Sequence, residues 1–107
     1  MTYEVLLADD AENDLLEIYR YVAFNDSLEK ADQLLDKLEE LVQALDSLPT
    51  RGPIPPELAR IGVTDYRELH FKPYRVIYRI EGQRVFIYCV LDGRRDLQAL
   101  LEQRLLR

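Results

Sequence analysis

The sequence predicts an α+β domain: an N-terminal strand, an α-helical hairpin packed on a mainly antiparallel four-stranded sheet, and a short C-terminal helix. Three observations carry that prediction. Apolar residues recur at helical spacing from Ala11 to Leu45, interrupted at Asn25-Asp26-Ser27. Three short β-prone segments then follow one another between Tyr66 and Leu91, separated by turn-forming residues. The last of these ends in Val85 to Leu91, apolar throughout, the pattern of a central strand buried on both faces.

Each element has its own justification. Tyr3 to Leu7 is short, β-prone and bounded by acids, so it predicts the first strand. Asp9 or Asp10 is expected to cap the helix after it, whose face is Ala11, Leu15, Ile18 and Val22. Asn25-Asp26-Ser27 ends that helix and offers the next cap. The second helix carries Ala31, Leu34, Leu35, Leu38, Leu41, Val42 and Leu45, a stripe wide enough for a partner helix and a sheet, with acids opposite and Pro49 as the expected stop. Residues 50–65, rich in proline and glycine, read as loop with one helical turn at Pro56–Ile61. Strands are predicted at Tyr66–Phe71, Arg75–Ile80 and Arg84–Leu91, with turns at Lys72-Pro73 and Glu81-Gly82-Gln83. Asp96 then caps a final helix in which Leu97, Leu100, Leu101 and Leu105 recur. Alternation sends Val76, Tyr78 and Ile80 to the helix-covered face and Arg75 and Arg79 to the other, predicted to be bare of the hairpin.

A chain of 107 residues fits one domain, 1–107. Its longest apolar run is far short of the roughly 20 residues that cross a bilayer, so no membrane partner is expected. The start has no basic stretch before its apolar residues, which argues against a secretory signal. A single cysteine, Cys89, excludes an internal disulfide and suits a reducing, cytoplasmic setting. Charge is unevenly spread. Residues 1–50 hold three basic side chains against 13 acidic, a balance of -10, and residues 51–107 hold 11 against seven, a balance of +4. Ten of the 11 are arginines, the side chain suited to bidentate contact with phosphate or carboxylate.

Metal and nucleophile chemistry find little support. With one histidine, one cysteine and no ligand spacing, no metal site and no cofactor is expected. Cys89 sits in the most apolar strand and reads as an inert thiol. His70 has a near-neutral reference pKa and could serve as a base, but it reads more readily as a hydrogen-bonded structural histidine. The arginines remain: Arg67, Arg75, Arg79, Arg94 and Arg95. Strand alternation puts Arg67 on the face of Leu69 and Phe71, so its head must reach the sheet edge. Arg94 and Arg95 either form an anion site or pair with the acids of the helical half.

With these residues in view, the chain resembles the RelE/ParE superfamily of bacterial type II toxins over essentially its whole length. The resemblance is carried by Arg67-x-Leu69, by Tyr74-Arg75-Val76-x-Tyr78 and by the apolar strand that ends in Arg94-Arg95. It implies a small toxin neutralised by an antitoxin whose C-terminal segment wraps around it. RelE-like members resemble ribonucleases that cut mRNA in the ribosomal A site, using basic residues on the sheet and a tyrosine or histidine near the C-terminus. ParE-like members inhibit DNA gyrase and lack that catalytic set. Arg67, Arg75 and Arg95 fall where the ribonucleases carry basic residues, but Leu101 stands where their tyrosine is expected. Arginine is too weak an acid to replace it, and a net charge of -6 is unlike a protein that works on ribosomal RNA. The ParE-like reading is therefore preferred: inhibition of gyrase by binding, not by catalysis. The alternatives are a ribosome-dependent endonuclease, with His70 as its base, and a non-toxic member that only binds an antitoxin. Target or antitoxin contacts are expected at Arg67, Arg75, Arg79, Arg94, Arg95, Leu97 and Leu101. The antitoxin tail is expected to be acidic toward the arginines and to use apolar surface near Tyr19, Tyr21 and Phe24.

Overall fold

Residues 2–106 are described by a computed structural model; Met1 and Arg107, the ends of the expected 1–107 domain, lie outside the described residues. The first strand, β1 (Glu4–Leu7), leads through Ala8 into helix α1 (Asp9–Asn25). Ala8 occupies the N-cap position, and no side chain caps the helix. The expected Asp9 or Asp10 cap is thus corrected by one residue. Both aspartates fall with Glu12 inside the first turn, where their charge favours the positive end of the helix dipole. Helix α2 (Leu28–Gln43) begins as expected: the Ser27 hydroxyl accepts the Lys30 N–H at 3.1 Å, a cap whose loss costs about 1 kcal/mol. Helix α2 ends earlier than Pro49, passing into a 3-10 turn at Ala44–Asp46.

After the loop, a single turn of helix, α3 (Pro56–Ala59), precedes the three strands β2 (Tyr66–Phe71), β3 (Tyr74–Glu81) and β4 (Arg84–Asp92) and the closing helix α4 (Gln98–Leu105). The sheet order is β1-β4-β3-β2. The strands β2, β3 and β4 form an antiparallel meander, and β1 lies parallel to β4 at the edge. The β3–β4 register slips between Ile77 and Tyr78: Ile77 faces Cys89 and Tyr78 faces Ile87, leaving Tyr88 as an extra residue.

That slip helps β4 serve two cores. Val85, Ile87 and Val90 join Val76 and Tyr78 beneath Ala11, Leu15, Leu38 and Val42 of the helical hairpin and Leu45 of the 3-10 turn after it. Cys89 and Leu91 join Ile77, Tyr66 and Leu58 beneath Leu97 and Leu101 of the C-terminal segment. The face expected to be bare is therefore closed in large part by α3 and α4. Leu97 and Leu101 are 1% and 0% exposed, and each such side chain buries about 1.5–3 kcal/mol of transfer energy. The leucine periodicity of α4 is the mark of a second core layer.

Candidate functional site

The arginines come from three places, and the structure gives each a different environment. Arg75, on β3, is the most engaged. Its Nε donates to Glu68 Oε1 at 2.6 Å, and its two terminal nitrogens donate to the Glu57 carboxylate at 2.6 and 2.8 Å. Glu68 is 2% exposed, so its charge needs this partner. The guanidinium in turn holds the Glu57 carboxyl below its ordinary range, and the two carboxylates raise the pKa of Arg75 further. His70 Nε2 lies 2.9 Å from the same Glu68 oxygen, within hydrogen-bond distance, from an exposed position. The stem of Arg75 runs under Gly93, where a Cβ would meet Arg75 Cδ at 2.9 Å.

Arg67 reaches the sheet edge, as alternation requires. There it donates to the Thr50 and Gly52 carbonyls at 3.1 and 2.8 Å and holds down the preceding loop. The buried Tyr78 hydroxyl acts on the same loop, donating to the Pro49 carbonyl at 2.6 Å and accepting from the Gly52 N–H at 3.2 Å. Arg79 stays half-exposed on the same sheet face as the α3–α4 layer, over the Tyr66 ring and 3.7 Å from Asp65. Tyr66 and Phe86 both pack against the Tyr88 ring there.

Arg94 and Arg95 lie at the end of β4 and are exposed. Of the two possibilities for this pair, pairing with the helical half is not what Arg94 does. It closes on its own neighbour, donating to both Asp92 oxygens at 3.0 and 2.7 Å and holding that carboxyl down at about 2. Among the described residues the Arg95 side chain has no hydrogen bond or ion pair. The residue that does pair with the helical half is Arg104 on α4. It donates to both oxygens of Asp14 on α1, at 3.2 and 2.9 Å, and to the Tyr88 carbonyl. Asp14 also accepts the Val90 N–H at 2.9 Å, beside the register slip and beyond the end of β1. Arg94, Arg95 and Arg104 line one groove of about 520 Å³ with Tyr21, Tyr74 and Leu100.

Among the expected site residues, then, Arg94 and Arg95 share a groove, and Arg79 stands apart from it. Arg67 and Arg75 are occupied by the fold's own oxygens. Leu97 and Leu101 are core residues that a partner reaches only if α4 moves. Burial pushes the Cys89 thiol up to about 12, as its apolar strand requires of an inert group. Glu57, Glu68, Asp14 and Arg104 were not singled out by sequence reasoning. Asp14 and Arg104 stand 90 positions apart, beyond any local spacing signal.

With this geometry in place, comparison with known proteins adds the following. The family model described as the ParE toxin of the parDE type II toxin–antitoxin system matches residues 5–97. A curated relative, Toxin ParE3 of Caulobacter vibrioides, is 31% identical over 100 residues, covering 94% of this chain and 96% of the relative. A solved structure of a chromosomal ParDE toxin–antitoxin system from P. aeruginosa superposes with a TM-score of 0.72 at 22% identity, over 85% of this chain and 96% of that one. The toxin–antitoxin complex RelBE2 from Mycobacterium tuberculosis superposes with a TM-score of 0.62 at 21% identity, over 86% and 92% of the two chains. At those identities the two structures speak for the fold.

Proposed function

This chain belongs to the ParE toxin family of type II toxin–antitoxin systems, and from that premise we propose that it inhibits DNA gyrase by binding and is neutralised by a cognate antitoxin. The observation that carries the reading is the engagement of Arg75. A phosphate-binding arginine must present free N–H groups, and three of those on Arg75 are already directed at Glu57 and Glu68. Arg67 spends a nitrogen on two loop carbonyls. Leu101, where a ribonuclease of the superfamily would carry its proton-transfer residue, is core. A surface organised this way supplies contacts for a protein partner, with Arg94, Arg95, Tyr21 and Tyr74 as exposed or half-exposed anchors of the types enriched in interfaces. No helix among the described residues is long and apolar enough to cross a membrane.

The test is a supercoiling and cleavage assay with purified protein and gyrase. Inhibition at micromolar concentration is expected, reversed by adding the product of the adjoining antitoxin gene. Unaltered supercoiling at that concentration overturns the reading. One observation favours the endonuclease alternative: His70 rests on Glu68 beside Arg75, a histidine–carboxylate pair next to a cation. A-site mRNA cleavage in a translation reaction, lost on His70→Ala, establishes that alternative in place of gyrase inhibition.

A further inference from the structure

Three large apolar side chains stand in solvent where α1 turns into α2: Tyr21, Phe24 and Leu28, at 67%, 90% and 62% exposure. Phe24 belongs to neither core. An exposed apolar patch of this kind marks an interaction surface. Glu17, Tyr21 and Phe24 follow one another at spacings of four and three, so the patch runs along one stripe of α1 into the groove of about 520 Å³ that Glu17 and Tyr21 help to line. Across that groove Tyr74 and Leu100 are half-buried and Arg95 is exposed.

Six charged residues line the groove, and four of them are paired within the chain: Arg94 with Asp92 at 2.7 Å, and Arg104 with Asp14 at 2.9 Å. The two that remain are Glu17 on α1 and Arg95 after β4, one of each sign. Among the described residues neither side chain has a hydrogen bond or ion pair. Beside the patch, Asp26 is paired as well, with Lys30 at 3.3 Å.

That arrangement selects its occupant. A partner of a single charge sign satisfies one of the two free groups and repels the other. A two-fold axis instead brings Arg95 of each copy to Glu17 of the other, the reciprocity that an isologous interface requires. The same axis sets the Tyr21 and Phe24 rings of the two copies together, and aromatic pairs are favoured beyond the area they bury. Elsewhere the helical half resists a second copy. The outer side of α2 carries Glu29, Asp32, Asp36, Glu39 and Glu40, all exposed, and like charges brought face to face repel.

We propose that the face formed by Glu17, Tyr21, Phe24 and Arg95 is a self-association surface, and that its occupant is a second copy of this chain docked about a two-fold axis. The inference goes beyond the gyrase reading and meets it at one point. Tyr21, Tyr74 and Arg95 are among the anchors assigned above to a protein partner, so a copy seated on them withholds them from any other protein.

Sedimentation velocity of the full chain is the test, with concentration raised from about 1 to 100 μM, since the dimer fraction follows mass action. The mass is expected to rise from the 12.6 kDa of one chain toward twice that value. Phe24→Ser should keep the chain monomeric throughout. Glu17→Arg and Arg95→Glu should each weaken association about tenfold, because each variant meets like charge twice across the axis. Mixed in equal amounts, the two variants should associate as tightly as the wild type, since both contacts between positions 17 and 95 in the mixed pair then join opposite charges. All three positions are exposed, so the circular dichroism of the variants should match that of the wild type. A monomer at the highest concentration, a dimer indifferent to Phe24→Ser, or a mixture no tighter than its components overturns the inference. Gyrase takes no part in these measurements. Their failure therefore leaves the proposed target standing, and failure of the supercoiling assay leaves self-association standing.

Discussion

The two edges of the sheet are finished in opposite ways. At β2 the edge is closed. The Glu68 N–H donates to the Pro53 carbonyl at 2.9 Å, and Arg67 and Tyr78 fasten the loop from Pro49 to Gly52 across it. Gly52 is required there, because a Cβ would overlap the Glu68 carbonyl oxygen and stand 2.7 Å from the Tyr78 hydroxyl. At β1 the edge is open at Val5 and Leu7, next to the Tyr3 N–H that donates to the Asp46 carbonyl at 2.8 Å. Among the described residues the nearby exposed rim of Glu12, Asp36, Glu39 and Glu40 has no ion pair. Exposed strand edges invite pairing, and proteins cover or charge the ones that are not used. One edge of this sheet is spent on stability and the other is left available. The same division separates Arg75, whose donors are consumed by Glu57 and Glu68, from Arg95, whose donors face solvent.

Substitutions at the closed side should therefore cost stability, and those at the open side should not. The largest effect is expected for Arg75→Met. It leaves the buried Glu68 carboxylate without a cation, a loss of about 3–5 kcal/mol in urea unfolding, and Glu68→Gln in the same chain should restore part of it. Next comes Gly52→Ala, which pushes backbone against the Glu68 carbonyl and should cost about 1–3 kcal/mol by the same measurement. Tyr78→Phe strands the Pro49 carbonyl and the Gly52 N–H and should cost about 1–3 kcal/mol, with faster amide exchange at Gly52. If these three leave unfolding unchanged, the β2 edge is not the closed side.

At the open side, Glu39→Lys and Glu40→Lys should each move stability by no more than about 0.5 kcal/mol, since neither carboxylate has a partner to lose. A greater loss would mean that the rim supports the fold, and the contrast between the edges would fail. The smallest effect belongs to Asp92. Arg94 lowers its folded pKa below the unfolded value, so the contribution is present above roughly pH 4, the unfolded carboxyl range, and fades as pH falls toward about 2. The pair lies near the surface and is screened by water and salt, so unfolding will scarcely register it. An NMR titration of the Asp92 carboxyl will: Arg94→Ala should return it to the ordinary carboxylate range.

Much of the architecture was legible because its signals are local. Ser27 caps α2 as its place between two helical stripes implies, and the strands at 66–71, 74–81 and 84–92 sit within a residue of their predicted ends. Helical and strand periods relate residues no more than a few positions apart, so a single reading along the chain recovers them. The cap of α1 was misplaced because three acids and an alanine cluster at its start, and a carboxylate inside the first turn is favourable without being the cap.

By itself, then, the sequence determined the order of elements, the acidic helical half and the arginine-rich sheet half, and enough pattern to mark the superfamily. Only the tertiary structure decided which arginines are free. Arg75 is joined to acids seven and 18 positions away and Arg104 to one 90 positions away, and no period in the chain encodes those separations. Tertiary packing also converted the leucines of α4 from a possible binding stripe into a second core, because a sheet face lined by Ile77, Cys89 and Leu91 must be covered by something apolar. Finally, it left β1 at the rim of the sheet with one side unpaired. A strand's local sequence specifies that it is extended, but whether it lies at the edge depends on where every other strand is placed.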